Sequence, residues 1–484
     1  MPAMFLRAGV LSLALLLASR VAGLLRESAM AAAFGASGRG DIAILMLTLP
    51  DWLAGVLASG ALAYVLLPAW AHEDAGRVAA TQRRVGRMLL GLGLALAALL
   101  ALLHGPAVAV LAGGLPQALH PEAGRALLWS ALALPLALLA SLGMTRLQHE
   151  RDFVGMYASN LVVNGVLIAA LLVAGFAAPV ATLVVGIGLL LAMLARLAWQ
   201  YQRQRPFRRV PGLADSTALP AFPVWGWAAA AAGLPLALPF VARSLASQQG
   251  AGALATFNYA WKLVELPLLL AVQLVGTLAL GPIVQALRSA DGERAAAQPL
   301  RRGFALAWTL ACAAVAGLVM AGPAIAQLLF GWGRMDARAV EHVAQWGSLG
   351  SWSLLPQALV TIALAVLAAH ERMRVAVLAY AVALVVLLLA HPGDGAHLML
   401  WLDGLWAAMA VVVLAALGPG WRQWLPWRAL VSAGGILSLL QAGLLVVGRP
   451  ERHALQWLAA AAAAALTIAI TWWASADLRG ALRR

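Results

Sequence analysis

Cysteine and lysine are almost absent: Cys312 and Lys262 are the only representatives of their types in 484 residues. A single cysteine cannot close an internal disulfide or build a multi-cysteine metal site, and Cys312 sits in an apolar run where it reads as a packing residue. Because the one lysine follows Trp261, there is no Gly-x-x-x-x-Gly-Lys phosphate loop, and no His-Glu-x-x-His is present. Both absences disfavour ATP hydrolysis and zinc proteolysis on this chain. Charge is also scarce, at 11% of residues against 63% hydrophobic, which excludes a soluble protein built around one core. Long polar segments are missing as well. The nearest thing to an extramembrane cluster, Arg334, Asp336, Arg338, Glu341 and His342, reads as a solvated loop rather than an active site.

Apolar stretches instead recur from end to end, which predicts an all-α polytopic membrane protein with about fourteen transmembrane helices. The expected spans are 5–28, 42–69, 87–112, 126–146, 154–174, 178–199, 222–246, 253–284, 303–330, 343–369, 374–390, 396–418, 429–447 and 454–476. Arg7 ahead of an apolar run resembles a signal peptide, but Arg20, Arg26 and Glu27 interrupt the place for a cleavage site, so the segment reads as a retained first helix.

A net charge of +14 invites a nucleic-acid reading, yet the basic residues sort by side of the membrane. With the N-terminus inside, most of them, from Arg77, Arg83, Arg84 and Arg87 through Arg146, Arg151, Arg196, Arg203 and Arg205 to Arg483 and Arg484, fall on the cytoplasmic side. Few fall opposite: Arg39, Arg125, Arg334, Arg338, Arg449 and Arg452. This bias is the positive-inside rule, with the bilayer and its anionic headgroups as partner and no nucleic acid.

The organisation predicted is a lobe over 1–199, a cytoplasmic linker over 200–221, a second lobe over 222–418, and an appended helix pair over 419–484 bordering a lipid-tail groove. Two six-helix lobes would surround a central cavity. The linker is marked by Arg203, Arg205, Arg208 and Arg209 among Pro206, Pro211 and Pro220. A weak internal likeness supports duplication: Leu49-Pro50 then Gly60-Ala61-Leu62-Ala63 and Pro68, against Leu266-Pro267 then Gly276-Thr277-Leu278-Ala279 and Pro282. Such lobes suit alternating access to a midplane site.

Charged residues inside these spans are costly and point to function: Arg20, Arg26 and Glu27 in the first, Asp51 in the second, then Arg243, Lys262, Glu265 and Asp403. On a straight helix Arg20 and Glu27 share a face while Arg26 lies roughly 120° away. A bend at Gly23 would bring all three to one ligand. The alternative for Arg20 and Glu27 is an interhelical ion network, and for Lys262 a local pair with Glu265 at i+3. Pro50 and Pro267 should kink their helices, with gating as the functional reading and ordinary membrane proline as the other.

Ser19-Arg20-x-x-Gly23-x-x-Arg26-Glu27, Phe34-Gly35-Ala36, Asp41, Leu49-Pro50 and Gly60-Ala61, followed by Tyr259-Ala260-x-Lys262-Leu263-x-Glu265-Leu266-Pro267, resemble the MurJ/MviN lipid II flippases of the multidrug/oligosaccharidyl-lipid/polysaccharide exporter superfamily. Asn164 fits the same pattern. The chain departs from it with Glu27 where that family usually has Asp, Asp51 where it usually has Asn, no arginine and acid later in helix two, and Lys262 in place of arginine.

The resemblance implies a bacterial inner-membrane flippase, not an enzyme, that carries undecaprenyl-pyrophosphate-linked peptidoglycan precursor (lipid II) to the outer leaflet for cell-wall synthesis. The substrate-binding set would be Arg20, Arg26, Glu27, Arg243, Lys262 and Glu265, with gating at Gly23, Pro50 and Pro267. Arginine forks and the lysine point charge suit pyrophosphate oxygens. No cofactor is expected; a coupling cation or the membrane potential would supply energy, with Asp403 the candidate coupling residue. Competing readings are a flippase for another polyprenyl-linked oligosaccharide, a multidrug exporter, which a cationic cavity disfavours, and a non-transporting membrane scaffold. The charge partition places both termini and the 200–221 segment in the cytoplasm. A reporter active only outside the cell should stay silent when fused after Arg484, and activity there would refute the orientation or the even helix count.

Overall fold

The computed structural model describes residues 2–208, 218–287, 289 and 292–482, and every regular element among them is helical. Residues 209–217 of the basic segment, together with Arg288, Asp291, Arg483 and Arg484, lie outside the described residues.

Packing divides the chain into two compact units, Met1–Ala255 with Trp332–Asp336, and Thr256–Gly331 with Ala337–Arg484. The first contains α1 (Pro2–Phe34), α2 (Gly38–Val56), α3 (Leu62–Trp70), α4 (Ala75–Leu102), α5 (His104–Leu111), α6 (His120–His149), α7 (Phe153–Phe176), α8 (Ala181–Arg208) and α9 (Phe222–Ser247). After α10 (Ala253–Pro267) come α11 (Leu274–Leu287), α12 (Gly292–Phe330), α13 (Ala337–Gly350), α14 (Leu354–Ala369), α15 (Met373–Leu389), α16 (Gly395–Ala415), α17 (Trp421–Trp424), α18 (Trp427–Val447), α19 (His453–Ala474) and α20 (Ala476–Leu482).

Ten helices among the described residues are long and apolar enough to cross a membrane, against the fourteen spans expected. The difference has structural causes. The expected spans 42–69 and 253–284 are each divided by a π-helical turn, at Leu57–Ala61 and Leu268–Gln273. Met373–Leu389 is apolar but only 17 residues long, at the lower end of the length of a crossing. The first helix, Pro2–Phe34, has the length of a crossing, and most side chains of its first turns lie outside the described residues.

By packing, the break between units falls after Ala255, so α9 stays with the first unit rather than opening the second. Its contact with the π turn is the reason. A Cβ on Gly60 would stand 2.0 Å from that of Ala232, and one on Gly233 would meet Val56 at 3.3 Å. Only glycine on the turn lets α9 approach so closely. In the second unit α12 takes both α18 and α19, where Ala321 and Ala324 pack against Ala460. Gln456 Oε1 there accepts from the buried Ala324 N–H at 3.0 Å, beside the helix-breaking Pro323.

Pro50 lacks the N–H that would bond the Met46 carbonyl, and in an apolar interior an unpaired carbonyl is costly. Ser130 on α6 supplies the missing donor: its hydroxyl, fully buried, donates to Met46 O at 2.5 Å. Outside the spans, Arg203 grips Asp152 with two hydrogen bonds of 2.8 Å and ties the end of α8 to the start of α7. Partial burial pushes the Asp152 carboxyl up, but Arg203 and the Gly155 N–H outweigh it and hold it below the usual carboxylate range. That tie therefore contributes at neutral pH and is lost on acidification through this lowered value.

The Ser130–Met46 bond sets a double-mutant cycle. Ser130→Ala should cost about 1–3 kcal/mol by leaving the Met46 carbonyl unsatisfied. In a Pro50→Ala background the restored helical N–H should remove most of that cost, read as thermal midpoints in detergent. Equal costs in both backgrounds would show that the hydroxyl serves something else.

Candidate functional site

In the first unit α1 runs unbroken through Gly23, whose Cα side faces the Asn164 amide of α7. Gly23 thus lies inside one continuous helix with Arg20, Arg26 and Glu27. Arg20 is exposed. Arg26 turns inward, with one guanidinium nitrogen 2.7 Å from Glu27 Oε1 and another 2.9 Å from Asp51 Oδ2 on α2. Exposure grades this triad: the side chains are 12% exposed for Arg26, 4% for Glu27 and 41% for Asp51.

Two buried arginines that the sequence assigned to the cytoplasmic side belong to the interior of this unit. Arg196 of α8 is buried, within electrostatic range of Asp51, and its Nε has no hydrogen-bond partner among the described residues. Gln200 and Gln204 follow on the same face, both buried, with Gln204 bonded to Gln82 and to the Gly143 carbonyl. The i, i+4, i+8 spacing of Arg196, Gln200 and Gln204 was the signal available in sequence. Arg146 of α6 is fully buried, paired with Glu150 at 2.6 Å and lying over the Trp70 ring at 5.9 Å.

Arg243 lines a different recess, an apolar one formed with Leu45, Thr48, Leu49, Leu111 and Phe240. Trp52 stacks obliquely on Phe240 beside it, with ring centroids 5.2 Å apart.

Within the second unit Lys262 pairs with Glu265 at 2.6 Å, the local i, i+3 bridge. Pro267 closes α10, and the π turn begins at the next residue. Asp403 of α16 accepts the Ser353 N–H, at the 3-10 turn Ser351–Ser353 that separates α13 from α14. Its Oδ1 has no partner among the described residues. No group of three or more His, Cys, Asp or Glu side chains that could hold a metal ion occurs among the described residues.

These arrangements suit anion handling rather than covalent chemistry: guanidinium donors in a low-dielectric setting, with carboxylates as internal counter-ions.

The chain is similar over 96% of its length to a solved lipid II flippase MurJ in an inward closed conformation, at TM-score 0.77 and 13% identity, covering 99% of that chain. An inward-facing multidrug resistance MATE transporter of the MOP superfamily matches at TM-score 0.61 and 14% identity, over 87% of this chain and 96% of that one. A MOP superfamily transporter from Pyrococcus furiosus, described as having a binding pocket of reversed polarity, matches at TM-score 0.57 and 12% identity, over 89% and 96%. No curated protein matches the sequence. The family described as Lipid II flippase MurJ matches residues 30–448, and the chain belongs to that family.

Proposed function

We propose that this membrane protein moves lipid II, an undecaprenyl-pyrophosphate-linked peptidoglycan precursor, from the inner to the outer leaflet by alternating access. The observation that carries the reading is the arginine content of the membrane-embedded part of the first unit: exposed Arg20, with Arg26 and Arg196 held behind acids. A membrane helix keeps such charge only for a polar task, and a pyrophosphate is the lipid headgroup feature that guanidinium forks fit best.

Arg20 is the cation most available to a headgroup, because it is exposed while Arg26 is already engaged by two carboxylates. Arg243 is a further cation of the first unit, on α9, and within the second unit Lys262 and Glu265 form a charge pair on α10. Pro50 and Pro267, each with a π turn downstream, are the places where helices can flex. Helices α18 and α19 border the groove for the polyprenyl tail, and Asp403, with one unpartnered oxygen, is the candidate coupling residue for a cation or for the membrane potential. Both termini lie in the cytoplasm of the bacterial inner membrane. One observation favours a second reading, a different polyprenyl-linked oligosaccharide: Asp51 puts a negative charge beside Arg26, which changes the electrostatics offered to the headgroup.

Complementation of a lipid II flippase depletion tests the reading, with headgroup accessibility scored on the outer leaflet. The wild-type chain should restore growth. Arg20→Ala should abolish rescue at normal protein level, and Arg20→Lys should recover it only in part. Arg26→Ala should also lower protein level, because it strips Glu27 and Asp51 of their shared cation. Full rescue by well-expressed Arg20→Ala would overturn the role of that residue. Failure of the wild-type chain to rescue, with another polyprenyl-linked glycan moved instead, would favour the second reading.

A further inference from the structure

The two carboxylates on Arg26 are not equivalent. Glu27 is adjacent on the same helix and 4% exposed, whereas Asp51 comes from another helix and is 41% exposed. One is a fixed counter-ion sealed in the protein. The other sits at the surface of the cluster, one residue after Pro50 on a helix that ends at the π turn Leu57–Ala61. Arg196 on α8 is buried and within electrostatic range of Asp51.

The donors outnumber what Asp51 can accept. Arg26 Nε and Arg196 Nε are both buried with no hydrogen-bond partner among the described residues. A carboxylate has two oxygens, and one of Asp51's is already on Arg26. A phosphate or pyrophosphate offers more acceptor oxygens and more negative charge in the same space, so it can satisfy donors that Asp51 leaves unmet.

We propose that Asp51 is a tethered, exchangeable anion that occupies the guanidinium site of Arg26 and Arg196 in the empty protein and is displaced by the phosphate groups of the substrate. Asp51 thereby sets a threshold. Weak or singly charged anions fail to evict it, and a pyrophosphate succeeds. Eviction frees the α2 end of the Arg26–Asp51 bridge, so occupancy of the site and movement of α2 are coupled. This inference rests on the phosphate-bearing substrate class proposed above, but not on the identity of its glycan or on its transport.

The test is anion binding to the purified full-length protein in detergent, with inorganic pyrophosphate as the probe and chloride as the competitor. Asp51→Asn removes the internal competitor and keeps the shape, so affinity for pyrophosphate should rise about tenfold and chloride should begin to compete measurably. Asp51→Ser serves the same purpose if the asparagine variant folds poorly. Arg196→Gln in the Asp51→Asn background should reverse most of the gain, an effect that a merely structural Arg196 would not produce. Unchanged or weaker pyrophosphate binding in both Asp51 variants would overturn the proposal. A second arm uses a short-chain prenyl pyrophosphate: tighter binding than the bare anion identifies a lipid headgroup as the natural ligand, and equal binding identifies a free phosphate, the rise on Asp51 substitution supporting the exchange in either case. Lipid II flipping by the wild type with no Asp51 effect on anion binding would sink this inference and leave the transport reading standing. The Asp51 effect without lipid II flipping would do the reverse.

Discussion

The cost of placing an arginine in an apolar helix governs the first unit. Arg26 cannot stand in α1 uncompensated, and the two acids that meet it come from its own helix and from α2. A desolvated charge left without a partner costs several kcal/mol, more than a typical membrane-helix contact returns. The pairing therefore ties α1 to α2, while packing of α1 is mainly against α7 and Arg20 is left exposed. Arg196 extends the cluster into α8, so three helices share one electrostatic centre. The same interaction that holds the unit together also concentrates cationic groups in the membrane, which is what recognition of a phosphate requires.

A second constraint is backbone satisfaction. Proline within a membrane helix releases a carbonyl that no water reaches, and at Pro50 the buried hydroxyl of Ser130 answers it. The helix therefore carries its proline without leaving that carbonyl unbonded. The likeness between Leu49-Pro50 with Gly60-Ala61-Leu62-Ala63 and Leu266-Pro267 with Gly276-Thr277-Leu278-Ala279 recurs in the backbone, since each stretch contains a π turn after its proline. An extra residue in a helical turn widens it and weakens its hydrogen bonds, and such turns concentrate at sites of function and motion. Each unit thus has one helix with a built-in place to flex.

Much of this was legible in the sequence, for reasons that also explain what was not. Hydropathy reports where apolar runs lie, so the all-helical membrane class and the helical placement of Arg20, Arg26, Glu27, Asp51 and Lys262 could be read directly. The Lys262–Glu265 bridge was readable too, because both partners lie on one helical turn. Arg26–Asp51 was not, since the partners are on different helices and no periodicity specifies which faces meet. Arg146 and Arg196 were assigned to the cytoplasmic side because they fall near the ends of apolar runs; hydropathy does not say that they turn inward. The π turns escaped because an inserted residue leaves no composition signature. The basic segment before α9 marks where the expected second lobe begins, and a close backbone approach at Gly60 is what groups α9 with the first unit by packing, a contact no composition signal announces.

The central claim is that guanidinium groups within the membrane recognise the pyrophosphate of a lipid carrier. Purified protein in liposomes, supplied with fluorescent polyprenyl lipids that share a glycan and differ only in carrying one phosphate or two, tests it most directly. The account expects the pyrophosphate lipid to reach the opposite leaflet faster than its monophosphate counterpart, with the difference lost when Arg20 is replaced by alanine. Equal rates for the two lipids, or a preference that survives Arg20→Ala, would contradict it.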